Sequence, residues 1–208
     1  MSIAREGFPH ILGLLGLAGL LLALGLPWLA AVFLVLGLFT TFFFRDPDRQ
    51  VLQDPGLVVS PADGKVVQVV PAPAGNPLGE GAWLISIFLS VFDVHVNRAP
   101  IGGRIAAVAY HKGEFLPAFD DKASLRNEQN TVTIEDGDAR VVFKQIAGLI
   151  ARRIVFWKHV DDSVSRGERV GLIKFGSRVD VFLASGARVR VAVGDRVRGG
   201  ASVLAERP

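Results

Sequence analysis

The sequence predicts a mostly β domain, a sandwich or barrel, preceded by a hydrophobic helical hairpin that anchors it to a membrane. Three observations carry this. An uncharged apolar run extends from Ile11 to Phe44. A stretch rich in Asp-Pro and Gly, "RDPDRQVLQDPG", follows it and cannot sustain a helix. Beyond that come short runs of β-branched and aromatic residues separated by turn residues, with no long amphipathic helical pattern competing.

At a rise of about 1.5 Å per residue, the apolar run is far longer than one span of a hydrocarbon core about 30 Å thick. Gly25 and Pro27 divide it, because proline removes a backbone donor and clashes with the preceding turn. Each half falls a little short of the roughly 20 residues of a full span, which favours a shallow or re-entrant pair of helices over one long kinked helix. A secretory signal is excluded by the length of the run and by the absence of a small-residue cleavage site after it. Arg5 before the run and Arg45 and Arg49 after it place both ends on the cytoplasmic side of the inner cell membrane. The chain thus divides into a membrane-associated segment, 1–44, and a β-rich domain, 45–208.

In the β-rich part, strands are expected at "GLVVS", "GKVVQVV", "AWLISIFLS", "GRIAAVAY", "TVTIE", "ARVVFKQIAG", "RRIVFW", "RVGLIKFGSRVDVFL" and "ARVRVAV", with one helix around "PAFDDKASLRNEQ". An internal echo joins "DSVSRGERVG" to "DRVRGGASVL". Asp162, Val164, Gly167 and Val170 stand opposite Asp195, Val197, Gly200 and Val203, a hairpin pattern similar to biotinyl and lipoyl-like modules. No cysteine is present, which excludes disulfides and thiol chemistry. The net charge of +3 comes from scattered arginines, and suits an anionic membrane surface or substrate rather than nucleic acid. No set of His, Asp and Glu has metal-ligand spacing.

The chemistry concentrates at Gly176-Ser177, inside "IKFGSRVDVFL". Glycine lets the backbone adopt conformations that a Cβ forbids, so the serine hydroxyl can reach the carbonyl of the residue before it. An N-to-O acyl shift, elimination of the ester and loss of ammonia would then cut the chain and leave a pyruvoyl group at position 177. Read locally the signal is weak, because Gly-Ser pairs are common and usually mark a β-bulge.

Context decides. "FFFRDPDR", "SPADGKV", "FLSVFDVHVNRAP", "NEQN", "QIAGLIARRIV" and "GERVGLIKFGS" occur in an order that resembles the phosphatidylserine decarboxylases, in their short bacterial form, over nearly the whole chain. The resemblance implies a proenzyme that cuts itself between Gly176 and Ser177 into a β chain, 1–176, and an α chain, 177–208. These remain together as a heterodimer, with any higher homo-oligomer left open. It implies a pyruvoyl cofactor made from Ser177 that forms a Schiff base with phosphatidylserine and releases phosphatidylethanolamine. It also implies that Asp63, in the "PADG" turn, belongs to a relay with Ser177, and that His95 moves protons. The family's second histidine is replaced here by Arg98, so either His95 serves both stages, the preferred reading, or Asp63 and backbone strain suffice for the cut. Asp93 shares a face with His95 in an extended stretch, and either orients its ring or sits in solvent. His10, His111 and His159 read as solvated or capping residues, and Arg152 and Arg153 as a solvated pair rather than a phosphate contact.

Two rivals remain. A non-enzymatic membrane-anchored adaptor with lipoyl-like hairpins would carry a coiled-coil insertion, and no heptad run exists. A serine hydrolase using Ser177, His95 and Asp63 would place its serine in a G-x-S-x-G elbow, whereas Val179 stands where the second glycine would be.

Overall fold

The computed structural model describes residues 2–116, 123–148, 153–174 and 176–208, which form two compact units, 1–48 and 49–208. In the first unit, strand β1 (Ser2–Ile3) pairs with β2 (Arg45–Asp46) and closes the base of a hairpin of two helices, α1 (Phe8–Ala23) and α2 (Pro27–Phe43). The break falls where proline and glycine put it. Gly25, at φ +74, ends α1, and the Leu26 N–H reaches back to the Leu21 carbonyl to satisfy the helix end. Most large side chains of the hairpin are exposed, Trp28 at 87%. The run Arg5–Ala23 is long and apolar enough to cross a membrane, and α2 is slightly shorter.

The second unit is an antiparallel β structure. Its strands are β3 (Leu57–Val59), β4 (Gly64–Pro71), β5 (Trp83–Leu89), β6 (Val96–Arg98), β7 (Gly103–His111), β8 (Gln129–Asp136), β9 (Ala139–Ala147) and β10 (Ile154–Phe156). They continue with β11 (Ser163–Val164), β12 (Arg169–Ile173), β13 (Ser177–Leu183), β14 (Arg188–Val189), β15 (Arg196–Val197) and β16 (Val203–Glu206). An eight-stranded sheet curled into a half-barrel has the order β11-β7-β8-β9-β13-β5-β4-β15, and two three-stranded sheets have the orders β10-β12-β6 and β14-β16-β3. The apolar core includes Ile85, Ile87, Ile105, Ile134, Phe143, Val179 and Val181.

These orders read as a duplication. The large sheet is symmetric about its centre, each strand of β11-β7-β8-β9 having a counterpart in β15-β4-β5-β13, and the small sheets match strand for strand. The echo seen in sequence is part of it. Ile105 N–H bonds the Asp162 carbonyl as Val66 N–H bonds that of Asp195, and Gly167 N–H bonds Ala99 as Gly200 N–H bonds Ser60. Gly64 and Gly103 lead into matching strands at φ 156 and 143, and a Cβ there would lie 2.2 and 2.1 Å from the carbonyl oxygens of Phe88 and Glu135. No side chain fits either place.

The second repeat, 96–173, is continuous, whereas the first is split into 57–89 and 177–206. In the second repeat β8 and β9 are joined by the two-residue turn Gly137-Asp138. In the first, β5 and β13 pair in the same way but the entire second repeat is inserted between them. One expected strand is therefore two. "RVGLIKFGSRVDVFL" ends β12 at Ile173 and begins β13 at Ser177, in different sheets, because the chain passes there from one repeat back to the other. The expected helix around 117–129 is the single turn α3 (Ala123–Arg126) among the described residues.

Candidate active site

The insertion creates two crossovers, 90–95 and 174–176, and pairing forces them together. Leu172 lies opposite Val96 in the β12–β6 ladder, and Ile173 N–H reaches the His95 carbonyl at 3.3 Å. The chain then turns through Gly176, at φ +66, with open space where a Cβ would be. This brings the Gly176 N–H to 3.3 Å from His95 Nε2. On the other side of the ring, Nδ1 lies 3.0 Å from the Asp93 carbonyl oxygen. A carbonyl only accepts, so Nδ1 carries the proton and Nε2 presents its lone pair to the residue preceding Ser177. His95 is 2% exposed, so its position is fixed by packing as well as by these bonds.

Ser177 opens β13 on the same face as Val179 and Val181. It is fully buried and its Oγ makes no hydrogen bond. An unpaired buried hydroxyl costs about 1–3 kcal/mol, which a purely structural serine has no reason to carry.

Asp63 lies at the same end of the large sheet. Lys65 and Arg178 both face Phe88, so the starts of β4 and β13 are separated by two strand spacings, about 10 Å. Both Asp63 oxygens are engaged elsewhere, Oδ2 by Arg49 at 2.7 Å and Oδ1 by the Gly199 N–H at 2.8 Å. Burial pushes its carboxyl above the ordinary range, more than the Gly199 bond and the Arg49 charge pull it down. The duplication singles this residue out. In the second repeat the matching turn, "APIGGRI", has Gly102 where "SPADGKV" has Asp63, so the framework is shared and the acid is not.

Arg98 is buried, with Nη1 donating to the Gly167 carbonyl at 2.9 Å and Cδ against Gly200. The Asp93 backbone, not its carboxylate, orients His95. The carboxylate caps the turn through Ser90 N–H and Oγ and pairs with Arg196 at 2.9 Å. His10 stacks on Phe44, His111 and His159 are exposed, Arg153 is exposed, and Arg152 lies outside the described residues. Among the described residues no His, Asp and Glu cluster could hold a metal.

Sequence reasoning misses two sets of residues. Arg49 reads there only as a marker of membrane orientation, although it pairs with Asp63. Arg178 and Asp180, which the sequence does not single out, alternate with valines in the pattern of a half-exposed strand, but both are 1% exposed. Arg178 donates through Nε to Asp180 at 2.7 Å and through Nη2 to Gln68 at 2.6 Å and Ser86 at 2.7 Å. A cavity of about 820 Å³ lies instead at the intact hairpin of the second repeat, lined in part by Glu135, Arg140 and Leu183. Leu183 is some 20 Å along β13 from Ser177, so this cavity is separate from the site.

A sequence model of the phosphatidylserine decarboxylase family matches residues 36–205. The chain is 48% identical over 207 residues to a phosphatidylserine decarboxylase proenzyme of Solibacter usitatus (strain Ellin6076), covering 100% of this chain and 98% of that protein. It is 47% identical over 208 residues to one from Symbiobacterium thermophilum, covering 99% and 96%. A buried, unpaired serine hydroxyl behind a left-handed glycine, a histidine at the N–H of that glycine and similarity along the whole chain agree, and the chain belongs to the phosphatidylserine decarboxylase family.

Proposed function

We propose that this chain is a proenzyme that cuts itself between Gly176 and Ser177, and that the product converts phosphatidylserine to phosphatidylethanolamine at a membrane surface. The observation that carries the reading is Ser177 Oγ, buried without a partner one residue from a glycine whose N–H rests on His95 Nε2. In the cut, Ser177 Oγ bonds to the Gly176 carbonyl carbon as the C–N bond breaks, giving an ester and a free amine. Loss of the Ser177 Cα proton then breaks the Cβ–Oγ bond and leaves a Gly176 carboxylate. Water replaces the nitrogen at position 177, and ammonia departs. His95, whose Nε2 lies at the adjoining Gly176 N–H, accepts the protons.

The residues present fit a pyruvoyl group at position 177: the position is buried, the hydroxyl that must leave Cβ has no hydrogen-bond partner to hold it, and the strand bearing it is ordered by pairing on both sides. Such a group supplies an electrophilic carbonyl, conjugated to an amide, that takes up the electron pair left when carbon dioxide departs. His95 is placed to return a proton afterwards, and burial excludes water from competing. The cut leaves Val179, Val181, Phe182 and Leu183 buried in the sheet, worth an upper estimate of about 6–12 kcal/mol, so the two chains stay associated.

Intact-mass analysis tests the reading. Two chains of 176 and 32 residues are expected, the smaller lighter by one ammonia than a chain beginning with serine. A single 208-residue chain in active protein would rule it out.

Asp63 acts in its ionised form, and its raised pKa sets the sign of the pH dependence. Self-cleavage is slow at low pH, where Asp63 is protonated, and rises as pH passes a midpoint above the ordinary carboxylate range. Arg49→Gln removes a charge that favours ionisation and moves this midpoint further up, while Asp63→Asn abolishes the acid limb. Rates of chain cutting across pH check both, and an unmoved midpoint in Arg49→Gln would exclude the pair from the step.

The apolar hairpin holds the enzyme at the inner cell membrane with the β unit on the cytoplasmic side, where the phosphatidylserine head group lies within reach. A chain lacking residues 1–44 is expected to remain in the supernatant, cut itself and act on dispersed short-chain lipid. Folded but inactive protein would show that the hairpin takes part in substrate binding.

A further inference from the structure

Scission at Gly176-Ser177 makes a new chain end in the middle of an eight-stranded sheet, and the role inferred below for Arg178 rests on that scission. Chain ends fray, since no covalent neighbour holds the last pair closed. Here the end carries the reacting carbonyl, joined directly to the nitrogen of Arg178. A displacement of about 1 Å at a reacting group costs on the order of 10²-fold in rate.

Arg178 is built to prevent that displacement. Its side chain is 1% exposed. Its guanidinium donates to Gln68 on β4 and Ser86 on β5, both on the other side of the cut, and to Asp180 on its own strand. Asp180 is held in turn by Ser124 Oγ at 2.6 Å and stands opposite Lys144 of β9. Burying an arginine is costly, and apolar side chains of similar size generally stabilise a fold as well or better. A few positions along, the same face takes that apolar course with Phe182, Leu84 and Val142. What the charged fork adds is direction, because a planar group with fixed donors pins its own backbone.

The duplication supplies an internal control. Arg140 of β9 faces Glu135 as Arg178 of β13 faces Phe88, so the two arginines are equivalent. Arg140 ends an uncut hairpin, and it is half-exposed, with a surface pairing to Glu135. The counterparts of Gln68, Ser86 and Asp180 are Ala107, Thr133 and Val142, which form no such network. The buried clamp exists only at the end that is cut.

We propose that Arg178 is the positioning residue of the cofactor-bearing terminus: tied to Gln68 and Ser86 across the cut, it keeps position 177 in sheet register after the chain is broken.

The test compares wild type, Arg178→Lys, and the double variant Arg178→Met with Asp180→Leu, which removes both charges and leaves neither unpaired. Each is followed by intact mass, by hydrogen exchange of the segment 177–183 and by steady-state kinetics. An uncut form of each is provided by Ser177→Ala. The double variant is expected to cut itself at about the wild-type rate, since the uncut chain still holds the strand. In its cut form, amides at the start of β13 exchange about tenfold or more faster, with no change in the uncut form. kcat falls about 10²-fold with KM little changed, and Arg178→Lys lies between. Cut double variant with wild-type exchange and kcat overturns the proposal, as does a folded double variant that fails to cut, since the role would then precede scission. If the double variant does not fold, Arg178→Lys decides alone: unchanged exchange and kcat sink the idea. Wild type that is not cut at 176–177 fails the earlier reading instead, and mass alone reports that.

Discussion

Ser177→Ala is expected to yield one uncut chain of 208 residues with no decarboxylase activity at all, because the oxygen that opens the Gly176 peptide and the carbon that becomes the ketone belong to the same residue. The loss is complete rather than partial, since no other residue supplies a carbonyl there. Folding should survive, as the substitution removes a buried hydroxyl that has no partner, a change that is neutral or stabilising. Hydroxylamine gives a second reading on wild type. Trapping the ester would release residues 1–176 as a hydroxamate and leave an ordinary serine at the start of the small chain. Two chains from Ser177→Ala, or wild type indifferent to the trap, would contradict the ester route.

His95→Ala carries the next largest effect. Removing a positioned base typically costs 10²–10⁴-fold, and that range is expected for self-cleavage. Turnover of whatever fraction is cut should fall again, because the same nitrogen serves the proton return. His95→Asn sharpens the test. Its amide oxygen can accept the Gly176 N–H and preserve the crossover, yet it cannot take a proton, so a folded and uncut His95→Asn separates chemistry from packing. Cutting and turnover at wild-type rates in either variant would remove His95 from the mechanism.

Local composition is enough for several features. The break at Gly25 and Pro27 needs only the geometry of those residues, and α1 and α2 stop and start around it. Most β strands follow from side-chain type and turn residues, and the Asp162 and Asp195 echo marks a real structural repeat. Other features are invisible because they depend on which residues become neighbours. The stretch from Arg169 to Leu183 has uniform strand chemistry, and only the insertion of one repeat into the other breaks it between Ile173 and Ser177. Arg178 and Asp180 have the alternation of an exposed face, and tertiary cover turns that face inward. Arg49 lies 14 positions from Asp63, and nothing in the spacing of an Asp-Pro stretch announces the 2.7 Å pair between them.

Residue identity and immediate neighbours suffice for the apolar helical hairpin and the β-rich body, while Gly176-Ser177 stands out as the proposed place of chemistry only through the resemblance that runs along the whole chain. Folding in three dimensions was needed for the rest: His95 Nε2 brought to the Gly176 N–H, the Ser177 hydroxyl left without a partner, and Asp63 held by Arg49 and Gly199. The first two arise where two crossovers between repeats are forced together by strand pairing, the third from contacts between residues far apart in sequence, and pairing over such separations is a property of the folded sheet rather than of any local stretch of chain.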